Sequence, residues 1–203
     1  MTKVLGLTGG IATGKSTVSR FLHQQGAVVI DGDLVARQVV APHQPGLARL
    51  VAAFGPTILA PDGTLKRAQL GQMVFGHPAA EAKLNGILGP LIHQEIVWQL
   101  TQARQAGVRL VILDVPLLYE GSYETLCDAV MVVQVSAATQ LRRLMARNGY
   151  DETTAHQRIN AQWPLAKKAA RAQVVINNEG SVAQTHHQVM AWLFQWLLPV
   201  WYN

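Results

Sequence analysis

The sequence contains a single cysteine, and aromatic and charged residues are scarce. Because Cys127 has no second cysteine to pair with, an internal disulfide is excluded, and we expect a reducing compartment. No apolar stretch reaches the roughly 20 residues that a membrane-spanning helix needs. The most apolar stretch, residues 191–202, is expected to form a helix that packs on the rest of the protein, with a membrane-surface or partner contact as the alternative.

Internal repeats and low-complexity segments are also missing from the sequence. The first three residues lead directly into an apolar run and not into a charged-then-apolar leader, so we expect a cytoplasmic protein. With 203 residues and 49% hydrophobic content, the chain can bury a full core. We therefore expect a single domain over residues 1–203, with an insertion or two.

Positive charge is concentrated in one part of the chain. The net charge is +5, and the surplus of basic over acidic residues within 138–171 equals that whole value. The rest of the chain is balanced, so the high pI of 9.7 is no sign of a generally basic surface. We expect this segment to meet a polyanionic ligand. Its basic residues are Arg142, Arg143, Arg147, Arg158, Lys167, Lys168 and Arg171.

Short apolar runs alternate with helical patterns along the chain. Strands are predicted at residues 3–8, 28–30, 110–114, 129–135 and 174–176. Uniformly apolar runs are typical of parallel strands that are buried on both faces. The predicted fold class is therefore α/β, with a parallel sheet flanked by helices and with ligands bound at the carboxyl ends of the strands.

A long stretch rich in turn residues separates the second and third predicted strands. Its pattern is mostly helical, which predicts an inserted helical subdomain over about residues 35–107. Glycine and proline pairs predict breaks between its helices, at 44–46, 55–56, 61–63, 76–78 and 89–90.

The most specific motif follows the first predicted strand. Residues 9–16 read Gly-Gly-Ile-Ala-Thr-Gly-Lys-Ser, which fits the pattern G-x-x-x-x-G-K-[ST] between a strand and a helix. The motif indicates a loop whose backbone N–H groups, with the start of the next helix, bind the phosphates of a nucleoside triphosphate. We expect Lys15 to reach the β and γ phosphates and Ser16 to bind Mg²⁺. The alternative is a glycine-rich turn without a ligand.

Two acids, Asp31 and Asp33, follow the second predicted strand. The Asp-x-x-Gly and Asn-Lys-x-Asp motifs of GTPase switches are absent from the expected places, which disfavours that class. A hydroxyl acceptor benefits from a carboxylate that orients it and accepts its proton. Asp33 is the predicted base, and Asp31 shapes the turn or holds magnesium through water. Ordinary turn or helix-capping acids are the alternative, and Asp114 is a rival magnesium ligand.

The basic segment supplies a third element. Arg143 and Arg147 are four residues apart in a predicted helix, so both lie on one face, and Arg158 with Gln162 repeats this spacing. Two helices with guanidinium groups fit a mobile lid, over about 137–172, that closes over ATP and excludes water. The alternative is an ordinary solvated helix face.

Several short motifs, in order and spacing, resemble the dephospho-coenzyme A kinase family over nearly the whole chain. Beyond the phosphate motif each is weak alone, but together they are specific. They are Asp31-x-Asp33, Arg67 to Phe75, Asp114 to Glu120, Arg143 to Arg147, Arg158 with Ala161-Gln162, and Ile176-Asn177-Asn178 near Gly180.

The resemblance implies transfer of the γ-phosphoryl group of ATP to the ribose 3′-hydroxyl of dephospho-CoA, the last step of coenzyme A synthesis. It implies a P-loop core, a helical substrate-binding insertion and a helical lid. The acceptor side would include Asp33, Leu118 and Glu120, and Arg143 and Arg147 would serve the lid, the first in catalysis and the second in ATP binding. The implied ATP-binding loop residues are Ala12, Thr13, Gly14, Lys15, Ser16 and Thr17.

Two other functions stay open at this point. One is another small P-loop kinase with a hydroxyl acceptor, similar to shikimate or gluconate kinases, although the long insertion suits a bulkier acceptor. The other is a nucleic-acid-binding ATPase that uses the basic segment as its footprint. We expect ATP and dephospho-CoA as substrates, with neither a nucleic-acid partner nor a membrane span. The sequence does not predict an oligomeric state.

Overall fold

The computed structural model describes the backbone of residues 1–201 and the side chains of residues 1–197. Strands and helices alternate, and the predicted α/β class is confirmed. The strands are β1 (Lys3–Gly9), β2 (Val28–Asp31), β3 (Leu110–Asp114), β4 (Ala129–Gln134) and β5 (Val174–Asn177). The helices are α1 (Lys15–Gln24), α2 (Gly32–Gln38), α3 (Pro45–Phe54), α4 (Arg67–Val74), α5 (Pro78–Gln105), α6 (Ala137–Asn148), α7 (Glu152–Asn160), α8 (Leu165–Ala169) and α9 (Val182–Trp201).

The strands form a five-stranded parallel sheet in the order β2-β3-β1-β4-β5. Strand β1 lies at its centre, with Leu7 opposite Asp114 of β3 on one side and opposite Met131 of β4 on the other. The chain leaves β1 at the point where neighbouring connections diverge, which is where open parallel sheets bind ligands. The loop that follows β1 therefore starts at the expected ligand edge.

Burial separates the inner strands from the edge strand β2. The uniformly apolar strands β3 and β4 are buried almost throughout, as predicted. Val28 of β2, in contrast, is 39% exposed while Ile30 is buried, so the burial expected of a uniformly apolar run holds for this strand only in part. The reason is topological, since the sheet order that puts β2 at an edge leaves no trace in a short apolar run.

Contacts divide the chain into two compact units. One comprises Met1–Ile30 and Gln102–Asn203, and the other comprises Asp31–Thr101. The second unit has its own apolar core, which includes Val40, Leu50, Ile58, Leu70 and Val74. The predicted role of this region as a substrate-binding insertion remains a prediction.

Helix α5 differs from its prediction. The prediction of a break at Gly89-Pro90 is wrong, because α5 is a continuous helix of 28 residues that includes Pro90. An interior proline costs about 3 kcal/mol through one lost backbone hydrogen bond and a clash with the preceding turn. The packing of Ile87 and Leu88 before it, and of the buried Ile96 and Leu100 after it, holds the helix together.

The apolar C-terminal stretch lies in α9. Trp192, Trp196 and Leu197 pack against the core that surrounds the sheet, so the predicted packed helix is confirmed for these residues. Tyr202 and the side chains from residue 198 onward lie outside the described residues. Within the described part of the chain, no helix combines the length and apolar character needed to cross a membrane.

Candidate active site

The glycine-rich motif forms a curled loop between β1 and α1. Ala12 has a φ of 62° and Gly14 a φ of 92°, both in the left-handed region. These turns bring the chain round to Lys15, the first residue of α1. The first turn of α1 contains no acidic residue, so the positive end of its dipole is not neutralised from within the helix. A curled loop before a helix N-terminus is a site for anions.

Lys15 forms an ion pair with Asp114, the last residue of β3. The pairing follows from the sheet, because β3 lies next to β1 and both strands end at the same edge. Asp114 is only 4% exposed, and a buried carboxylate is costly without a counter-charge. Lys15 supplies that charge here. The prediction that Asp114 holds magnesium remains a prediction.

The loop backbone makes three hydrogen bonds with side-chain amides, one as donor and two as acceptor. Gln162, just after α7, accepts the Ile11 N–H at 2.9 Å through Oε1. Gln140 of α6 donates to the Ile11 carbonyl at 2.9 Å, and Asn178, after β5, donates to the Thr13 carbonyl at 2.8 Å. The Ile11 N–H thus already donates to an oxygen atom, the Gln162 amide oxygen, as it could to an oxygen of a phosphate.

The two predicted lid arginines, both on α6, have different surroundings. Arg143 is half-buried and donates from Nη2 to the Asn178 carbonyl at 3.1 Å. Arg147, one turn later, is exposed and donates to the Asn148 side chain at 2.8 Å. Arg143 therefore contacts Asn178, which itself contacts the phosphate loop, whereas Arg147 faces solvent.

A carboxylate fixes the start of α6. Glu179 accepts hydrogen bonds from the Ser136 N–H and from the Thr139 hydroxyl, the second at 2.8 Å. The bond from Ser136, then the bond from Thr139 and the charge of Arg143, lower the pKa of Glu179. The carboxylate is therefore ionised well below neutral pH and stabilises the helix N-terminus that precedes Arg143.

Comparison with known proteins agrees with this geometry. A family model described as dephospho-CoA kinase matches residues 3–184. The chain belongs to the dephospho-CoA kinase family. A dephospho-CoA kinase of Latilactobacillus sakei is 52% identical over 93% of both chains. One of Enterococcus faecalis is 48% identical over 95% of this chain and 96% of its own.

A solved structure extends the likeness of this dephospho-CoA kinase family member to three dimensions. The crystal structure of a Thermus thermophilus protein is 28% identical and superposes with a TM-score of 0.84. It covers 97% of this chain and 98% of its own. The P-loop kinase architecture is thus a property of the whole chain and not of the phosphate loop alone.

The acceptor-side residues proposed from the family are occupied by protein contacts. Leu118 is fully buried. Glu120 Oε1 accepts a hydrogen bond from the Trp163 N–H at 2.9 Å and pairs with Lys168 Nζ at 2.8 Å. Lys168 is fully buried and also donates to the Pro116 carbonyl at 2.8 Å. Substrate contact by Leu118 and Glu120 remains a prediction, and the structure gives both a packing role.

Asp31 at the end of β2 and Asp33 at the start of α2 have different positions in the structure. Asp31 is the N-cap of α2 and accepts from the N–H groups of Asp33 and Leu34 at 2.8 and 3.1 Å. Asp33 lies exposed in the first turn of the same helix. The expectation that Asp31 shapes the turn is confirmed. The role of Asp33 as a base remains a prediction.

The remaining predicted ligands of ATP lie on the loop and the first turn of α1. The Thr13 side chain is fully buried, and both its hydroxyl and its N–H donate to the Gly10 carbonyl, at 2.9 and 3.2 Å, so Thr13 is engaged within the loop. Ser16 is exposed and Thr17 is half-buried. Sequence reasoning assigned no role to Gln140 and none to the Asn178 side chain. Asn178 lies in one of the motifs that resemble the family, whereas Gln140 lies in none of them.

Proposed function

We propose that this kinase transfers the γ-phosphoryl group of ATP to the ribose 3′-hydroxyl of dephospho-CoA and so completes coenzyme A. The observation that carries the proposal is the curled loop that ends at Lys15, in a chain whose family model is described as dephospho-CoA kinase. Membership of the family supports ATP-dependent phosphorylation of dephospho-CoA as the reaction. Such a reaction uses cytoplasmic substrates, which supports a cytoplasmic location.

In the proposed reaction the 3′-oxygen forms a bond to the γ-phosphorus, and the bond from that phosphorus to the β–γ bridging oxygen breaks. Lys15 leaves Asp114 and contacts the β and γ phosphates, where its charge stabilises the negative charge that develops on the transferring group. Arg143 and Arg147 add positive charge from the lid. Asp33 orients the 3′-hydroxyl and accepts its proton.

The residues near the loop fit a divalent cation that arrives with the nucleotide. Among the described residues, no group of three or more histidine, cysteine or acidic side chains is placed to hold a metal ion. The Ser16 hydroxyl and the Asp114 carboxylate offer the oxygen ligands that Mg²⁺ prefers, Asp114 through water. Two protein groups leave room for phosphate oxygens and water, and Mg²⁺ would there neutralise charge on the phosphates.

The proposal has a direct test in a coupled assay that measures ADP production. Dephospho-CoA, shikimate and gluconate are supplied in parallel with ATP and Mg²⁺. We expect turnover with dephospho-CoA alone, and phosphorylation of only the small acceptors would refute the proposed substrate. A mass shift of one phosphate in the CoA product confirms the transfer.

Two variants assign the chemistry to the loop. Lys15→Ala removes the charge on the transferring phosphate, so we expect kcat to fall by about two to three orders of magnitude, as for loss of a major electrostatic contact. Lys3→Ala changes a lysine at the other end of β1 and is the matched control. Undiminished turnover by Lys15→Ala would exclude this loop as the site.

A further inference from the structure

Buried side-chain amides from two separate elements hold the phosphate loop. Gln140 is 5% exposed on α6, and Asn178 is 7% exposed after β5. Each donates an amide N–H to a loop carbonyl, Gln140 to that of Ile11 and Asn178 to that of Thr13. Both loop carbonyls are thereby fixed on the side of the protein interior.

The direction of these carbonyls determines where the loop N–H groups point. In a trans peptide the C=O of one residue and the N–H of the next point in opposite directions. Holding the Ile11 carbonyl therefore turns the Ala12 N–H away from Gln140, and holding the Thr13 carbonyl turns the Gly14 N–H away from Asn178. The peptide group between Gly10 and Ile11 is held in the same manner, since the Thr13 hydroxyl donates to the Gly10 carbonyl.

The loop needs this support because its backbone is unfavourable. Ala12 has a φ of 62°, a region that residues with a Cβ rarely occupy. Without the bond from Gln140, the peptide before Ala12 could rotate to a lower-energy conformation. The N–H of Ala12 would then no longer face an anion.

Two glycines of the motif make room for the amides. A Cβ on Gly10 would lie 2.5 Å from Gln140 Nε2, and a Cβ on Gly14 would overlap Asn178 Nδ2. Asn178 is itself fixed, because its Oδ1 accepts the hydroxyl of Thr185 at 2.7 Å, and Thr185 is fully buried. Its amide nitrogen is thus directed at Thr13.

We infer that Gln140 and Asn178 are positioning residues for phosphate binding, which hold the loop N–H groups towards the β and γ phosphates without contacting them. The inference rests on the proposed function and deepens it. It predicts a loss of affinity that is specific to the phosphates and leaves the acceptor site unchanged.

The test uses the full chain with Gln140→Met, which keeps the length of the side chain but removes the donor, and Asn178→Asp, which keeps the acceptor for Thr185. Calorimetry measures affinity for MgATP and for magnesium pyrophosphate, and kinetics measure KM for each substrate. We expect each variant to lose about five- to thirtyfold in affinity for both phosphate ligands, as for one lost buried hydrogen bond. KM for dephospho-CoA should stay within twofold.

Controls separate this effect from a loss of folding and from added charge. Gln102→Met changes an exposed glutamine of α5, and Asn177→Asp adds the same charge at the neighbouring position. Both should bind MgATP within twofold of wild type. Circular dichroism measures folding, and if Asn178→Asp does not fold, Gln140→Met decides alone.

The outcomes distinguish the inference from the function. Wild-type protein that neither binds MgATP nor phosphorylates dephospho-CoA refutes the proposed function. If the wild type is active and the Gln140→Met variant binds pyrophosphate as tightly as the wild type does, the inference alone is refuted. Equal losses for pyrophosphate and dephospho-CoA also refute it, because they would show a general structural defect.

Discussion

Lys168 provides the sharpest prediction about stability. Its ammonium group is fully buried and contacts two oxygens, Glu120 Oε1 and the Pro116 carbonyl, both at 2.8 Å. Lys168→Met keeps most of the apolar volume and removes the charge. The Glu120 side chain, which is 18% exposed, then keeps only the hydrogen bond from the Trp163 N–H.

Removing one charge of this ion pair should destabilise the protein more than removing both charges. Removing one partner of a buried pair costs about 3–5 kcal/mol, because the other charge is left uncompensated. Lys168→Met combined with Glu120→Gln removes both charges, and the amide that replaces the carboxylate still offers an oxygen to the Trp163 N–H. The Pro116 carbonyl keeps its bond from Thr8. We therefore expect the double variant to cost only about 1–2 kcal/mol, near the value of one hydrogen bond.

Urea denaturation followed by circular dichroism measures both free energies of unfolding. Thermal melts should show the single variant lowered by roughly 6–20 °C, since 1 kcal/mol is worth about 2–4 °C in a chain of this size. Lys167→Met is the matched control, because Lys167 lies exposed over the Trp163 ring and should cost about 1 kcal/mol or less. A single variant that costs under about 1 kcal/mol, or a double variant as costly as the single, refutes the reasoning.

The further predictions concern three individual side chains. Asp33→Asn should retain MgATP affinity by calorimetry and lose phosphoryl transfer, whereas loss of the folded state would show that the acid is needed for the turn. Burial raises the pKa of the Cys127 thiol to about 12, so Ellman's reagent at pH 8 should label only urea-unfolded protein. Because the native state retains this proton, stability should fall as pH rises above the ordinary thiol pKa of about 8.5. Gln162→Leu frees the Ile11 N–H and should tighten pyrophosphate binding about two- to tenfold by calorimetry, and weaker binding would show that Gln162 supports the loop.

The sequence predicts the sheet well because its signals are local. The apolar runs predicted at 110–114 and 129–135 coincide with β3 and β4. The position of β2 at the edge depends on the order of strands, which no short window contains. Pro90 failed as a helix breaker for a related reason, since packing along α5 outweighs a local preference.

The candidate site, too, could be predicted only where the sequence carries a local signal. The phosphate loop could be predicted because its chemistry requires particular residues at fixed spacing. The direction of a loop side chain has no such signature, and so the sequence did not show that Leu118 faces the core or that Glu120 pairs with Lys168. Gln140 was missed because a buried glutamine reaching a distant carbonyl has no periodic pattern.

Lys15 and Asp114 together connect the chemistry to the fold. On the proposed function, Lys15 must leave Asp114 to contact the phosphates, and a carboxylate that is 4% exposed then loses its counter-charge. An uncompensated charge in that position would oppose ATP binding by several kcal/mol. A divalent cation bound with the nucleotide would, as proposed, take the place of Lys15 near Asp114 and supply the missing positive charge. On this reasoning the affinity for ATP would depend on the divalent cation.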